Sequence, residues 1–175
     1  MNAPASSVIC RWLSVQGPLE QLRSDILTLR RGTRRGHTSP HKLLLLLAVL
    51  DLAEDGLLRS NRIYFDDYLI SRFERNFTRF GGEADMCQPA PPFFHLRSAK
   101  FWHHEILPGR EAAYRSFSSS GGGAGRIDRN IAYAYLSDYA YKVVIDPEMR
   151  RSIRTFIEEQ LLRSQLEEAS PNGQR

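Results

Sequence analysis

Apolar residues recur at helical spacing through most of this chain, and the breaks between the runs divide it into elements. Leu19, Leu22, Ile26 and Leu29 follow Pro18 at intervals of three and four, which predicts a helix from Pro18 to Arg31, stopped by Gly32. Leu43-Leu44-Leu45-Leu46-Leu47-Ala48-Val49-Leu50 is apolar on every face, so the helix it forms must be the central rod of the domain. Ser39 reads as its N-cap, Pro40 as its first helical residue and Gly56 as its stop. Asp66 reads as the cap of a third helix, with Leu69, Phe73, Phe77 and Phe80 on one face and Gly81-Gly82 beyond. A last amphipathic helix begins at Asp146-Pro147-Glu148 and carries Ile153, Phe156, Ile157 and Leu161.

Between these helices the pattern shortens. Arg62-Ile63-Tyr64-Phe65 and residues 131–136 read as extended segments, and Ser137-Asp138 as the cap of a short helix reaching Ile145. Residues 93–96 and 101–106 have strand character and flank the turn Arg97-Ser98-Ala99-Lys100, which predicts a hairpin with a basic tip, a wing. Residues 118–125 are serine and glycine and read as a flexible loop. The fold class expected is α+β: a mostly helical, winged-helix-like single domain with a small β-hairpin wing. Residues 1–17 form an N-terminal extension, 18–163 the domain and 164–175 a C-terminal tail.

Composition adds a basic bias. The chain has 175 residues and a formal net charge of +4, and Lys42, Lys100 and Lys142 are its only lysines. Arginine forms forked hydrogen bonds to phosphate and to base edges that lysine cannot match. Cys10 and Cys87 stand at no metal-ligand spacing and suggest a reducing compartment. No leader pattern opens the chain, and residues 43–50 are too few to span a bilayer, so a cytoplasmic protein without a membrane partner is expected.

The charge is concentrated just before the leucine rod. Residues 30–42 carry Arg30, Arg31, Arg34, Arg35 and Lys42 with no acid among them. A cationic, glycine-interrupted loop feeding a rigid helix start suits a phosphate, which would meet the first-turn N–H groups and the side chains of His41 and Lys42. A second segment, Pro89-Ala90-Pro91-Pro92-Phe93-Phe94-His95-Leu96-Arg97-Ser98, offers stiff apolar surface beside basic groups. His103-His104-Glu105 does not suggest a metal site, because neighbours on a strand point to opposite faces.

Together, Ser39-Pro40-His41-Lys42 with its leucines and Pro91-Pro92-Phe93-Phe94-His95-Leu96 followed by Phe101-Trp102 resemble the sulfur-binding domain of McrA-like type IV restriction proteins. The resemblance continues through Leu136-Ser137-Asp138 and Asp146-Pro147-Glu148-Met149-Arg150 and covers roughly residues 18–163. Pro91 stands where that family usually has tyrosine. The resemblance implies recognition of phosphorothioate-modified double-stranded DNA, in which sulfur replaces a non-bridging phosphate oxygen. It implies that His41 and Lys42 grip the modified phosphate, and that Pro92, with Pro91, Phe93 and His95 beside it, cups the sulfur. Arg30, Arg31, Arg34, Arg35, Ser39, Arg97, Ser98 and Lys100 are the candidates for DNA backbone and base contacts. The zinc-framed nuclease signature that accompanies this domain in restriction enzymes is missing from the sequence, so a non-catalytic module without cofactor is expected, monomeric or homodimeric, with a separate nuclease or effector as a further partner. The alternatives are a winged-helix regulator of unmodified DNA and the DNA-recognition subunit of a nuclease.

Overall fold

The computed structural model describes residues 6–34, 37–83, 85–117 and 123–169, with side chains from residue 17 onward, that of Arg34 excepted. The first helix, α1, spans Ser6–Leu27 and carries Pro18 inside it rather than at its start. Proline there removes one helical N–H, which a long helix docked on a core tolerates. The helix also stops earlier than its apolar spacing suggests. Leu29 N turns to the carbonyl of Ile26 at 3.2 Å, and the carbonyl of Arg30 leaves the helical path to accept from Lys42. Two-residue strands β1 (Thr33–Arg34) and β2 (His37–Thr38) then pair antiparallel.

Helix α2, His41–Glu54, is the expected rod, with every residue from Leu43 to Leu52 buried. Its start differs in one respect: Ser39 gives it no side-chain cap, and the first helical bond runs from Leu44 N to Pro40 O at 3.0 Å. Gly56 ends the connection with φ of +69°, a conformation that costs a side-chain-bearing residue about 1–2 kcal/mol. α3 (Asp67–Phe80) starts as expected, with Asp66 Oδ1 accepting from Leu69 N at 3.0 Å. Buried Asp51 fastens α2 to its neighbours by accepting from Asn76 Nδ2 (2.8 Å) and Arg154 Nη2 (2.7 Å). Both contacts are needed, since a carboxylate stripped of water is costly without partners.

The expected wing is absent. Residues 90–95 form a short helix, α4 (Ala90–His95), followed by a 3-10 turn over Leu96–Ser98. Proline in a first helical turn loses nothing, because its N–H would be unpaired there anyway. The run Phe93-Phe94 looked strand-like because a short apolar run has no readable period. β3 (Trp102–Ile106) instead pairs antiparallel with β4 (Ile131–Leu136), from Trp102 with Leu136 to Glu105 with Tyr133 and, past a one-residue shift, Ile106 with Ile131, and Ile63 bridges to Ala134 on the other side of β4. Short helices α5 (Glu111–Arg115) and α6 (Ala124–Asn130) intervene. Residues 118–122 of the expected serine–glycine loop lie outside the described residues, while 124 and 125 begin α6.

α7 (Asp138–Ile145) and α8 (Pro147–Ala169) close the domain, the latter capped by Asp146 Oδ1, which accepts from Met149 N at 2.9 Å. α8 runs through residue 164 into the expected tail, and Gln165 Nε2 donates to Phe80 O at 2.9 Å. The result is a mostly helical single domain with small antiparallel two-stranded sheets. No helix among the described residues is long and apolar enough to cross a membrane.

One histidine belongs to the core. On β3, His103 packs against Tyr135 with ring centres 5.2 Å apart, while His104 points the other way and stacks on Phe93 at 5.5 Å. His104 Nε2 lies 3.1 Å from both Trp102 Nε1, which can only donate, and Phe93 O, which can only accept, and Nδ1 lies 2.8 Å from the Tyr114 hydroxyl. Burial pushes His104 down from 6.5 to about 4. The unfolded chain therefore takes up a proton first as pH falls. Stability from this residue is full above pH 6.5 and is lost on acidification towards pH 4, by about 3 kcal/mol in all. Urea titrations of wild type and His104→Gln across that range should show the wild type losing the more stability; parallel losses would remove the assignment.

Candidate functional site

The basic stretch becomes a hairpin anchored at its base and on its flank. At the base, Ser39 N donates to Gly32 O at 2.8 Å, and Arg34 pairs with His37 in the β1–β2 register. On the flank, His37 lies between two carboxylates, Nε2 at 2.8 Å from Asp85 Oδ1 and Nδ1 at 2.7 Å from Glu168 Oε2. Carboxylates only accept, so both ring nitrogens must carry protons, and the hydrogen bond to Glu168, then that to Asp85, raises His37 above the usual 6.5. Glu168 Oε1 also accepts from Thr38 N at 2.9 Å. Burial alone would raise Glu168, but the Thr38 N–H and His37 together hold it below the ordinary carboxylate range.

Between this hairpin and α4 lies a cleft of about 830 Å³, a size that suits a small ligand or one extruded group of a larger one. Arg30, Arg31 and Lys42 line its hairpin side; Pro91, Pro92 and His95 line its α4 side; Arg97 and Ser98 lie at the end of α4. Among the described residues none of Arg30, Arg31, Lys42 and Arg97 is ion-paired. Asp85 is the carboxylate that lines the cleft, and it is 5% exposed and committed to His37 and to the Gly82 N–H. The field in the cleft is therefore positive, and its preferred occupant is an anion.

Lys42 is the best-placed cation. Its Nζ donates to Arg30 O at 2.8 Å and has two further protons without a partner in the described residues. Half-burial lowers its pKa, so an incoming anion would restore the solvation it has lost. Burial likewise lowers Arg31, whose Nη1 is 3.4 Å from Ser164 Oγ.

His41 lines the same cleft, but its nitrogens are engaged within the protein. Nε2 donates to Met86 O at 2.7 Å, and Nδ1 lies 2.8 Å from Ser39 Oγ. Its ring stacks over Phe73 and leans on Phe77, at 6.3 and 5.8 Å. The imidazole thus fastens the start of α2 to the 85–88 loop, and the hydroxyl expected to cap the helix positions this ring instead.

The α4 side is chemically different. Pro91 and Pro92 occupy the first turn of a helix, where other residues would present N–H donors; proline presents CH₂ groups. Pro92 is buried and Pro91 half-buried, so the proline part of this wall is apolar and offers no backbone N–H, while His95 beside it brings a polar ring. Phe93 does not reach it. Its side chain is fully buried, edge-on to Phe65 at 5.1 Å and to Trp102 at 5.6 Å. Ser98 Oγ donates to His95 O at 3.0 Å, and Lys100 is exposed on the turn before β3, outside the cleft lining. The Arg34 side chain and all of Arg35 lie outside the described residues.

Sequence reasoning missed Gly32, Thr33, His37, Asp85, Met86 and Gln88 as lining residues. No family model matches the chain, and no curated protein does either.

The two carboxylates give the His37 clamp a defined pH response. Because its folded pKa is raised, its contribution is full below pH 6.5 and is lost as pH rises through the folded value. His37→Gln should therefore be less stable than wild type near pH 6, with the gap closing on the alkaline side. Hydrogen exchange at the Thr38 amide is the local readout, and a gap that widens with pH would refute the clamp.

Proposed function

We propose that this chain is a non-catalytic recognition module for phosphorothioate-modified double-stranded DNA, reading one modified linkage in the cleft between the arginine hairpin and α4. The observation that carries this reading is that Lys42 and Pro92 line one cleft, which joins a cation without a carboxylate partner among the described residues to two prolines that offer no N–H.

The modified linkage keeps its negative charge, so it needs a cation as much as an ordinary phosphate does. Its sulfur is larger and more polarisable than oxygen and a poorer hydrogen-bond acceptor, so it loses less on leaving water. A site with N–H donors on every side would favour oxygen. Here Lys42, Arg30 and Arg31 meet the charge, while Pro91 and Pro92 supply a surface that gives nothing to an oxygen. Burying about 30 Å² of extra apolar surface favours sulfur by roughly 0.8 kcal/mol. Drying an ordinary oxygen against the prolines costs about 1–3 kcal/mol. The sum corresponds to selection on the order of 10²-fold.

His41 acts in this scheme as a positioning residue, since both nitrogens already bind protein atoms. The grip falls to Lys42. Arg97, held against the Phe94 and Tyr114 rings, is poised to meet the neighbouring backbone or a base edge.

The test is a paired titration of modified and unmodified duplexes of identical sequence. The modified duplex should bind on the order of 10²-fold more tightly. Lys42→Ala should weaken binding of both by about tenfold or more. Pro92→Ala, which restores an N–H and removes ring methylenes, should pull the preference towards unity with little effect on the unmodified duplex. Equal affinity of the wild type for both would remove the sulfur reading and leave a general DNA binder.

A further inference from the structure

Cationic groups continue past the cleft along a path built on aromatic rings. The Arg97 guanidinium lies 4.0 Å from the Phe94 ring centre and 5.0 Å from that of Tyr114 in α5. Phe94 is 5.6 Å from Phe117, and the Arg126 guanidinium of α6 lies 5.6 Å from the Phe117 ring. A guanidinium laid on a ring face is held without a carboxylate and keeps its N–H edge available. Arg129 stands three residues after Arg126 on α6, oriented by its Nε donating to Gly125 O at 2.6 Å.

The arginines of this path differ from the five that carboxylates neutralise. They differ from others unpaired among the described residues, such as Arg59, Arg151 and Arg163, in their continuity with the cleft through Phe94 and Phe117. Arg23, Arg72, Arg75, Arg79 and Arg154, on α1, α3 and α8, all contact carboxylates within 4.0 Å. Arg97, Arg126 and Arg129 are exposed and form no such pair among the described residues.

We propose that Arg126 and Arg129 form a second, sulfur-blind station for the sugar–phosphate backbone of the same duplex, reached from the cleft across Arg97. The inference rests on the reading that the cleft takes a DNA phosphate. Its chemistry is distinct: α6 exposes Ala124, Gly125, Arg126, Asp128 and Arg129 and buries Ile127, so the station adds affinity and register without discriminating sulfur from oxygen.

The experiment uses the full chain, with Arg126→Gln/Arg129→Gln compared with wild type and with Arg163→Gln, an exposed arginine of α8. Fluorescence anisotropy is measured on modified and unmodified duplexes of about two helical turns over a salt series. The double variant should lose the same factor, about tenfold, on both duplexes and keep the preference between them. Its slope of log affinity against log salt should fall by about two. Unchanged circular dichroism excludes misfolding, since both side chains are on the surface. Loss no greater than that of Arg163→Gln, with an unchanged slope, overturns the station while a Lys42→Ala defect would leave the cleft standing. A double-variant defect in a wild type that shows no sulfur preference keeps the station and removes only the sulfur reading. A wild type that binds neither duplex removes both.

Discussion

α2 hides ten consecutive side chains, Leu43–Leu52, and a helix without an exposed face must be enclosed by its neighbours on every side. α3, α4, α7 and α8 all pack against it. That enclosure forces the polar groups before Leu43 to the end of the rod, where His41 and Lys42 become the boundary between core and solvent. The cleft exists because the rod has to emerge somewhere. Its cation is half-buried for the same reason, since a lysine one residue before a wall of leucines cannot be fully hydrated.

Positive charge in the cleft is maintained by arrangement more than by amount. Asp51 of α2, Asp55 just after it and Glu158 of α8 draw the arginines of α3 and α8 into surface and half-buried pairs. Asp85 and Glu168, close enough to neutralise the hairpin, are instead bound to His37 and to backbone N–H groups. The opposite wall is made apolar by the same economy of groups, since Pro91 and Pro92 in the first turn of α4 have no N–H to offer.

The long helices were legible because they combine a period with a cap: Asp66 and Asp146 accept the bonds their positions suggest. Pro18 and Leu29 misplace the ends of α1, because proline is equally at home at a helix start and Leu29 keeps helical spacing after the helix has ended. Residues 93–96 read as strand because aromatic content outweighed the prolines before them, yet they are helical, and with that strand went the wing. Within the cleft, the cations and Pro91-Pro92 could be named from the chain, but which of two adjacent residues faces the space could not: Pro92 lines it and Phe93 turns into the core. His41 shows a different limit. Its place was legible, while its partners, the Ser39 hydroxyl and the Met86 carbonyl, are fixed by tertiary contacts. His37 and Glu168 are separated by 131 positions, and no local pattern joins them.

That separation has a consequence for how the molecule comes into being. Chains emerge from the ribosome N-terminal end first, at about 5–20 residues per second. The arginine hairpin leaves early, yet Glu168, one of its two carboxylate anchors, is among the last residues of α8 to be made. During synthesis the leucine rod can begin to collect its neighbours while the cationic loop still lacks that tether. The interior also waits for α8, whose Met149, Ile153, Ile157 and Leu161 join the core, and the cationic rim acquires its final shape last, only once translation has passed Glu168.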